Sequence, residues 1–162
     1  MNESNVKPAP PKDLPAAPDT EAVEALIGKY AAKKNRDESD NLYRELLGFV
    51  PPRIQARVAV TGAIDPEGFD LTEQIREHFM YPKCFDTKTA QLMLFGMLLT
   101  QLSDAAQLHA IGARKAGATW EELQAVVSLC FLFRGLSAAN RGAEILASMA
   151  RREYDAAKTD GG

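Results

Sequence analysis

From Asp19 onward, apolar residues recur at three- and four-residue spacings, and no segment alternates convincingly with period two. That rhythm predicts an all-α chain. "DTEAVEALIGKYAAKK" reads as a first helix capped by Asp19 or Thr20, with acids in its opening turn and lysines at its end, as the helix dipole favours. "DESDNLYRELLGFVPP" predicts a second, with Leu42, Leu46 and Leu47 on one side and a stop at Gly48 and Pro51. "PPRIQARVAVTGAI" is a third, led by a proline in its first turn. "DPEGFDLTEQIREHFMYP" supplies a fourth, with Phe69, Leu71, Ile75 and Phe79 at mixed helical spacing and Pro82 against continuation.

The second half carries a stronger signal. "DTKTAQLMLFGMLLTQLSDAAQLHAIGARKAG" starts at an Asp86 cap and holds no proline, which predicts one long helix or two nearly continuous ones. "TWEELQAVVSLCFLFRG" comes next, with Thr119 and Glu122 at the spacing of a capping box and Gly135 at its end. "SAANRGAEILASMARREYDAA" opens with Ser137 as its expected cap and carries Ile145, Leu146 and Met149 inward. Leu92 to Leu99 and Val126 to Phe133 are apolar nearly all round, so these helices are either central to a bundle or shared with another subunit.

Five of the nine prolines fall in the first 18 residues, which therefore read as a flexible or extended arm, or as a segment lying across a neighbouring subunit. Residues 19–156 are expected to form a single domain and 157–162 a tail. A net charge of −3 argues against nucleic acid and anionic membrane as partners. No apolar run is long enough to span a bilayer and the first residues lack the apolar core of a signal peptide, so a cytoplasmic protein is expected. Cys84 and Cys130 lie far apart and suggest neither a disulfide framework nor a zinc site. With two histidines and no Glu-x-x-His pattern, no metal site is expected.

His109 is the leading candidate for chemistry. On a helix its same-face neighbours are Leu102, Ala105, Ala106, Gly112, Ala113 and Ala116, all apolar and most very small. Such surroundings either let another backbone pack over the ring or leave room for a ligand. In a pocket, partial burial would favour the neutral imidazole suited to a general base. Asp104 points away, so any orienting partner must come from elsewhere. Arg134 is either a dipole-favoured cation in the last turn of its helix or a bidentate clamp for a substrate carboxylate. Gln91 is either a surface or interface amide or a hydrogen-bonding group for substrate. Tyr81, Cys84 and Phe85 either line a pocket mouth or form a structural turn, while Cys130 reads as an inert core thiol.

Together "FDTKTAQL", His109, "GATWEEL" eight residues later and "FRGLSAA" resemble the carboxymuconolactone decarboxylase family, which also contains the alkyl hydroperoxidase D-like proteins. With the upstream "LLGFVPP", the likeness covers roughly Tyr43 to Met149. The resemblance implies an all-α fold assembled into trimers or hexamers, with active sites at subunit interfaces. It places His109 at the family's histidine and Gln91 near a position where many members have glutamate. The peroxidase branch has a Cys-x-x-Cys pair where this chain has Leu102 and Ala105, so a dithiol cycle of that kind is not expected. Ser137 stands where the family has proline after Gly135-Leu136.

The resemblance leads to the expectation of a cofactor-free lyase acting on a small lactone or keto-carboxylate. His109 would move a proton, Arg134 would hold a carboxylate, and Gln91 or Tyr81 would donate to the developing enolate. The alternatives are a non-catalytic oligomeric binding or scaffold protein of the same fold and, third, a hydroperoxide reductase.

Overall fold

The computed structural model describes residues 14–160, and among them every regular element is a helix. Most of the arm expected over residues 1–18 therefore lies outside the described residues; 14–18 carry no helix or strand. None of the described helices is long and apolar enough to cross a membrane. The chain divides into two compact units, one ending at Met80 and the other beginning at Tyr81.

The first unit holds α1 (Thr20–Leu26), α2 (Arg36–Leu47), α3 (Pro52–Ile64) and α4 (Pro66–Met80). Asp19 caps α1 by accepting from the Ala22 amide, but the helix stops at Leu26, well short of the lysines expected to end it. The reason is tertiary: Gly28 turns the chain at φ +141°, and the amides beyond it find partners on other helices. Ala31 N–H donates to the Gly62 carbonyl, and Lys33 and Lys34 N–H donate to the Asp70 carboxylate on α4, each at 2.9 Å. Gly62 has no room for a side chain, since a Cβ there would lie 2.3 Å from the Tyr30 ring. On α2 the buried row is Ser39, Tyr43 and Leu47, with Leu42 and Leu46 outside it, and Gly48 ends the helix at φ +85°.

The inward face of α4 differs from the one its apolar spacing suggests. Phe69 and Glu73 are wholly buried, whereas Leu71, Ile75 and Phe79 are exposed. Glu73 turns inward because two arginines neutralise it: Arg57 Nη2 of α3 stands 2.6 Å from Oε1, and Arg76 Nη2 3.0 Å from Oε2. Arg76 stacks over the Tyr43 ring, and Arg57 also donates to the Tyr43 hydroxyl at 3.2 Å. A buried carboxylate is tolerable only with such partners.

The second unit is made of α5 (Thr87–Thr100), α6 (Ala105–Lys115), α7 (Trp120–Arg134) and α8 (Leu136–Asp160). The stretch from Asp86 to Gly117 is two helices that fold back on each other, not a nearly continuous rod. The reversal occupies Gln101–Asp104, where Leu102 takes the left-handed conformation at φ +55°. Gly135, at φ +72°, turns α7 into α8. Leu136 is already helical, and Gly135 O accepts from Ala138 N–H, so Ser137 lies within α8 and is not its cap.

Cross-links fix how the two hairpins meet. Lys88 bonds Glu122 and the Cys130 thiol donates to Gly96 O, both across 34 residues, so α5 and α7 run parallel. Gln107 to Ser148 and Arg114 to Glu153 align α6 with α8 in the same sense. The result is a four-helix arrangement around Phe95, Leu99, Leu123, Val127, Ile145 and Met149. Alanines 106, 110 and 113 on α6 are fully buried, so this helix is packed through small side chains. Gly142 lets α8 approach α7, since a Cβ there would fall 2.6 Å from the methyl carbons of Val127. The apolar segments of α5 and α7 are each divided between core and surface. Met93 and Met97 are exposed on α5, as are Leu129, Leu132 and Phe133 on α7.

Candidate active site

The helical reversal brings His109 to Gln91. Asp86 caps α5 by accepting from Thr89 N–H at 2.7 Å, which sets the register of the helix and turns Gln91 into the unit. Gln91 is 0% exposed, and its Oε1 lies 2.8 Å from His109 Nδ1 on the facing helix. His109 itself is of intermediate burial. The orienting partner that His109 lacks on its own helix is thus a carboxamide from α5. Asp104 faces elsewhere, joined to Arg141 of α8 at 3.0 Å.

The amide end of Gln91 is unsatisfied: Nε2 is buried with no hydrogen-bond partner. Leaving such a donor unpaired costs roughly 1–3 kcal/mol. Groups of this kind are uncommon in folded proteins, and Ser39 Oγ and Glu73 Oε1 in the first unit share the condition. The 2.8 Å contact fits a ring that donates from Nδ1 to Oε1, with Nε2 as its lone-pair nitrogen; the donor and acceptor roles follow the tautomer.

Arg134 is exposed at the last turn of α7. The parallel pairing of α5 and α7 sets Gln91 level with Ala125, so Arg134 stands nine residues, or about 14 Å, further along the bundle. Tyr81, Cys84 and Phe85 are all exposed in the loop before α5, where Phe85 N–H donates to the Pro82 carbonyl. Of the six predicted side chains the structure joins His109 and Gln91. It sets Arg134 apart from them and leaves the loop trio at the surface. Cys130 is buried, and burial pushes its thiol above the ordinary range, away from the reactive thiolate. A shallow depression on the outer side of α7 is lined by Trp120, Glu121, Gln124, Ala125 and Ser128, and includes none of the predicted residues.

Sequence reasoning misses the Glu73 cluster of the first unit, although Phe69, Glu73 and Arg76 stand in phase on α4. Burial pushes the Glu73 carboxyl upward, but the hydrogen bond and charge of Arg76 with the charge of Arg57 outweigh it, and its pKa lies below the ordinary glutamate value. Both carboxylate oxygens face a guanidinium, so this cluster has little left to offer a ligand. Among the described residues, no group of three or more His, Cys, Asp or Glu is placed to hold a metal ion. The chain matches no family model, no curated protein and no solved structure.

Proposed function

We propose that this chain is a cofactor-free lyase of the carboxymuconolactone decarboxylase kind, acting on a small lactone or keto-carboxylate by proton transfer at His109. The observation that supports it is the buried Gln91 carboxamide, whose oxygen meets the imidazole at 2.8 Å and whose amide donor is left without a partner. A half-buried imidazole held at Nδ1 by a carboxamide presents its other nitrogen to exchange a proton with a carbon next to a carbonyl. In a decarboxylation the electrons of the breaking carbon–carboxylate bond pass to the neighbouring carbonyl as an enolate while CO2 leaves, and the carbon then takes a proton that His109 Nε2 has drawn from water and hands on. In this reading the protein is a trimer or hexamer, and Arg134 holds a substrate carboxylate only in the site of a neighbouring copy.

A pH–rate profile on lactones and β-keto acids tests it. A limb near neutrality should be present in the parent chain, and His109→Ala should lose about 10²- to 10⁴-fold in kcat. Unchanged turnover in His109→Ala would refute the reading. The exposed apolar row Leu129, Leu132, Phe133 and Leu136 favours a second reading, a non-catalytic oligomeric binding protein of the same fold. Self-association without turnover on any member of the panel would favour it.

A further inference from the structure

We infer that Gln91 is a positioning residue: its carboxamide oxygen fixes His109 in the Nδ1–H tautomer and so makes Nε2 the ring's proton acceptor. Sequence reasoning gives Gln91 the task of contacting substrate. Its complete burial gives it a different one, because a side chain with no exposed surface supports the imidazole from behind while the partly exposed ring meets what lies beyond. The 2.8 Å separation is that of a good N–H···O bond, and Gln91 belongs to the buried residues of α5 with Ala90, Phe95 and Leu99. Which ring nitrogen carries the proton is set by the bond the other nitrogen makes.

The identity of the partner matters as much as its distance. A carboxylate in this place would stabilise the imidazolium by its charge; a carboxamide accepts the same hydrogen bond without that charge. The pairing therefore selects a tautomer through a hydrogen bond alone. The charged side chain of α5 is Lys88, about one turn earlier, and it is already joined to Glu122 of α7 at 2.8 Å. The catalytic consequence rests on the lyase reading above, whereas the tautomer does not.

The test is two-bond ¹H–¹⁵N correlation spectroscopy on the full chain labelled with ¹⁵N-histidine, at about pH 9, well above the ordinary imidazole pKa of about 6.5. There are two histidines, and a His78→Gln sample assigns their signals. The expected spectrum has a protonated Nδ1 and an unprotonated Nε2 at His109. Gln91→Leu should move His109 towards the Nε2–H form, and Gln91→Glu, which keeps the acceptor, should restore Nδ1–H. Should Gln91→Leu fail to fold, Gln91→Met removes the acceptor at similar length, and the parent spectrum decides by itself. An Nε2–H tautomer in the parent chain, or a pattern indifferent to Gln91→Leu, would overturn the inference. In a turnover assay Gln91→Leu should lower kcat by about tenfold or more with KM little changed, as expected when the wrong tautomer is populated. An Nδ1–H spectrum with turnover indifferent to His109→Ala would defeat the lyase reading alone. Nε2–H with turnover dependent on His109 would defeat this inference alone.

Discussion

Glu73 in the first unit and Gln91 in the second are both wholly removed from solvent, and the chain treats them in opposite ways. Glu73 carries a full charge, and each of its oxygens faces an arginine. Gln91 carries no charge, and half of its hydrogen-bonding capacity is left unused. Burying a charge is the more costly act, so the neutralised cluster reads as a fitting the fold requires. An unpaired neutral donor is cheap enough to be tolerated and serves no packing purpose. The contrast teaches that counter-charge, not the tally of hydrogen bonds, separates the two: Glu73 Oε1 and Gln91 Nε2 both lack a hydrogen-bond partner, but Oε1 stands against the Arg57 guanidinium and Nε2 against no group that accepts from it.

Substitution can break this contrast most forcefully at Glu73. Glu73→Ala leaves two guanidinium groups without their carboxylate and should cost about 3 kcal/mol, the lower end for broken buried pairs because both arginines are part-exposed. Urea unfolding measures it, and a loss below about 1 kcal/mol would make the cluster ornamental.

Acid provides a gentler probe. Because the folded pKa of Glu73 is depressed, its stabilisation is fully present above the ordinary value of 4.5 and is lost as pH falls through the depressed value. Glu73→Gln should therefore flatten the acid limb of the stability profile below pH 4.5, and an unchanged slope would show that other carboxylates govern it. The smallest effect is expected at Gln91→Leu, within about 1 kcal/mol of the parent chain, since the lost bond to His109 is offset by removal of the orphan donor. A loss as large as that of Glu73→Ala would erase the distinction.

Local chemistry is legible in the sequence wherever a helix end is decided by its own residues. Asp86, the Thr119–Glu122 capping box, Gly48 and Gly135 all act where their types and spacing suggest. Boundaries set from a distance are not. Nothing near Lys33 reveals that Asp70, 37 residues on, takes its amide. The inner face of α4 escapes the sequence for the same reason, since an apolar pattern that favours Leu71, Ile75 and Phe79 cannot register the arginine of α3 that admits Glu73. At the candidate site, His109 and Gln91 can each be singled out by type and position. Their pairing depends on a reversal at Leu102, and a proline-free stretch disguises that reversal as a continuous helix.

The α5–α6 connection gives that pairing a phase. Each residue of an α-helix advances the side-chain direction by about 100°. With Gln91 fixed by the Asp86 cap and the facing helix launched from Gln101–Asp104, the length of this short link determines which side of α6 looks at the carboxamide. A link longer or shorter by one residue, with the helix otherwise held in place, would present Leu108 or Ala110 to Gln91 in place of the imidazole. The connection therefore works as an index mark, and the meeting of imidazole and carboxamide is specified as much by the count of residues in a turn as by the histidine itself.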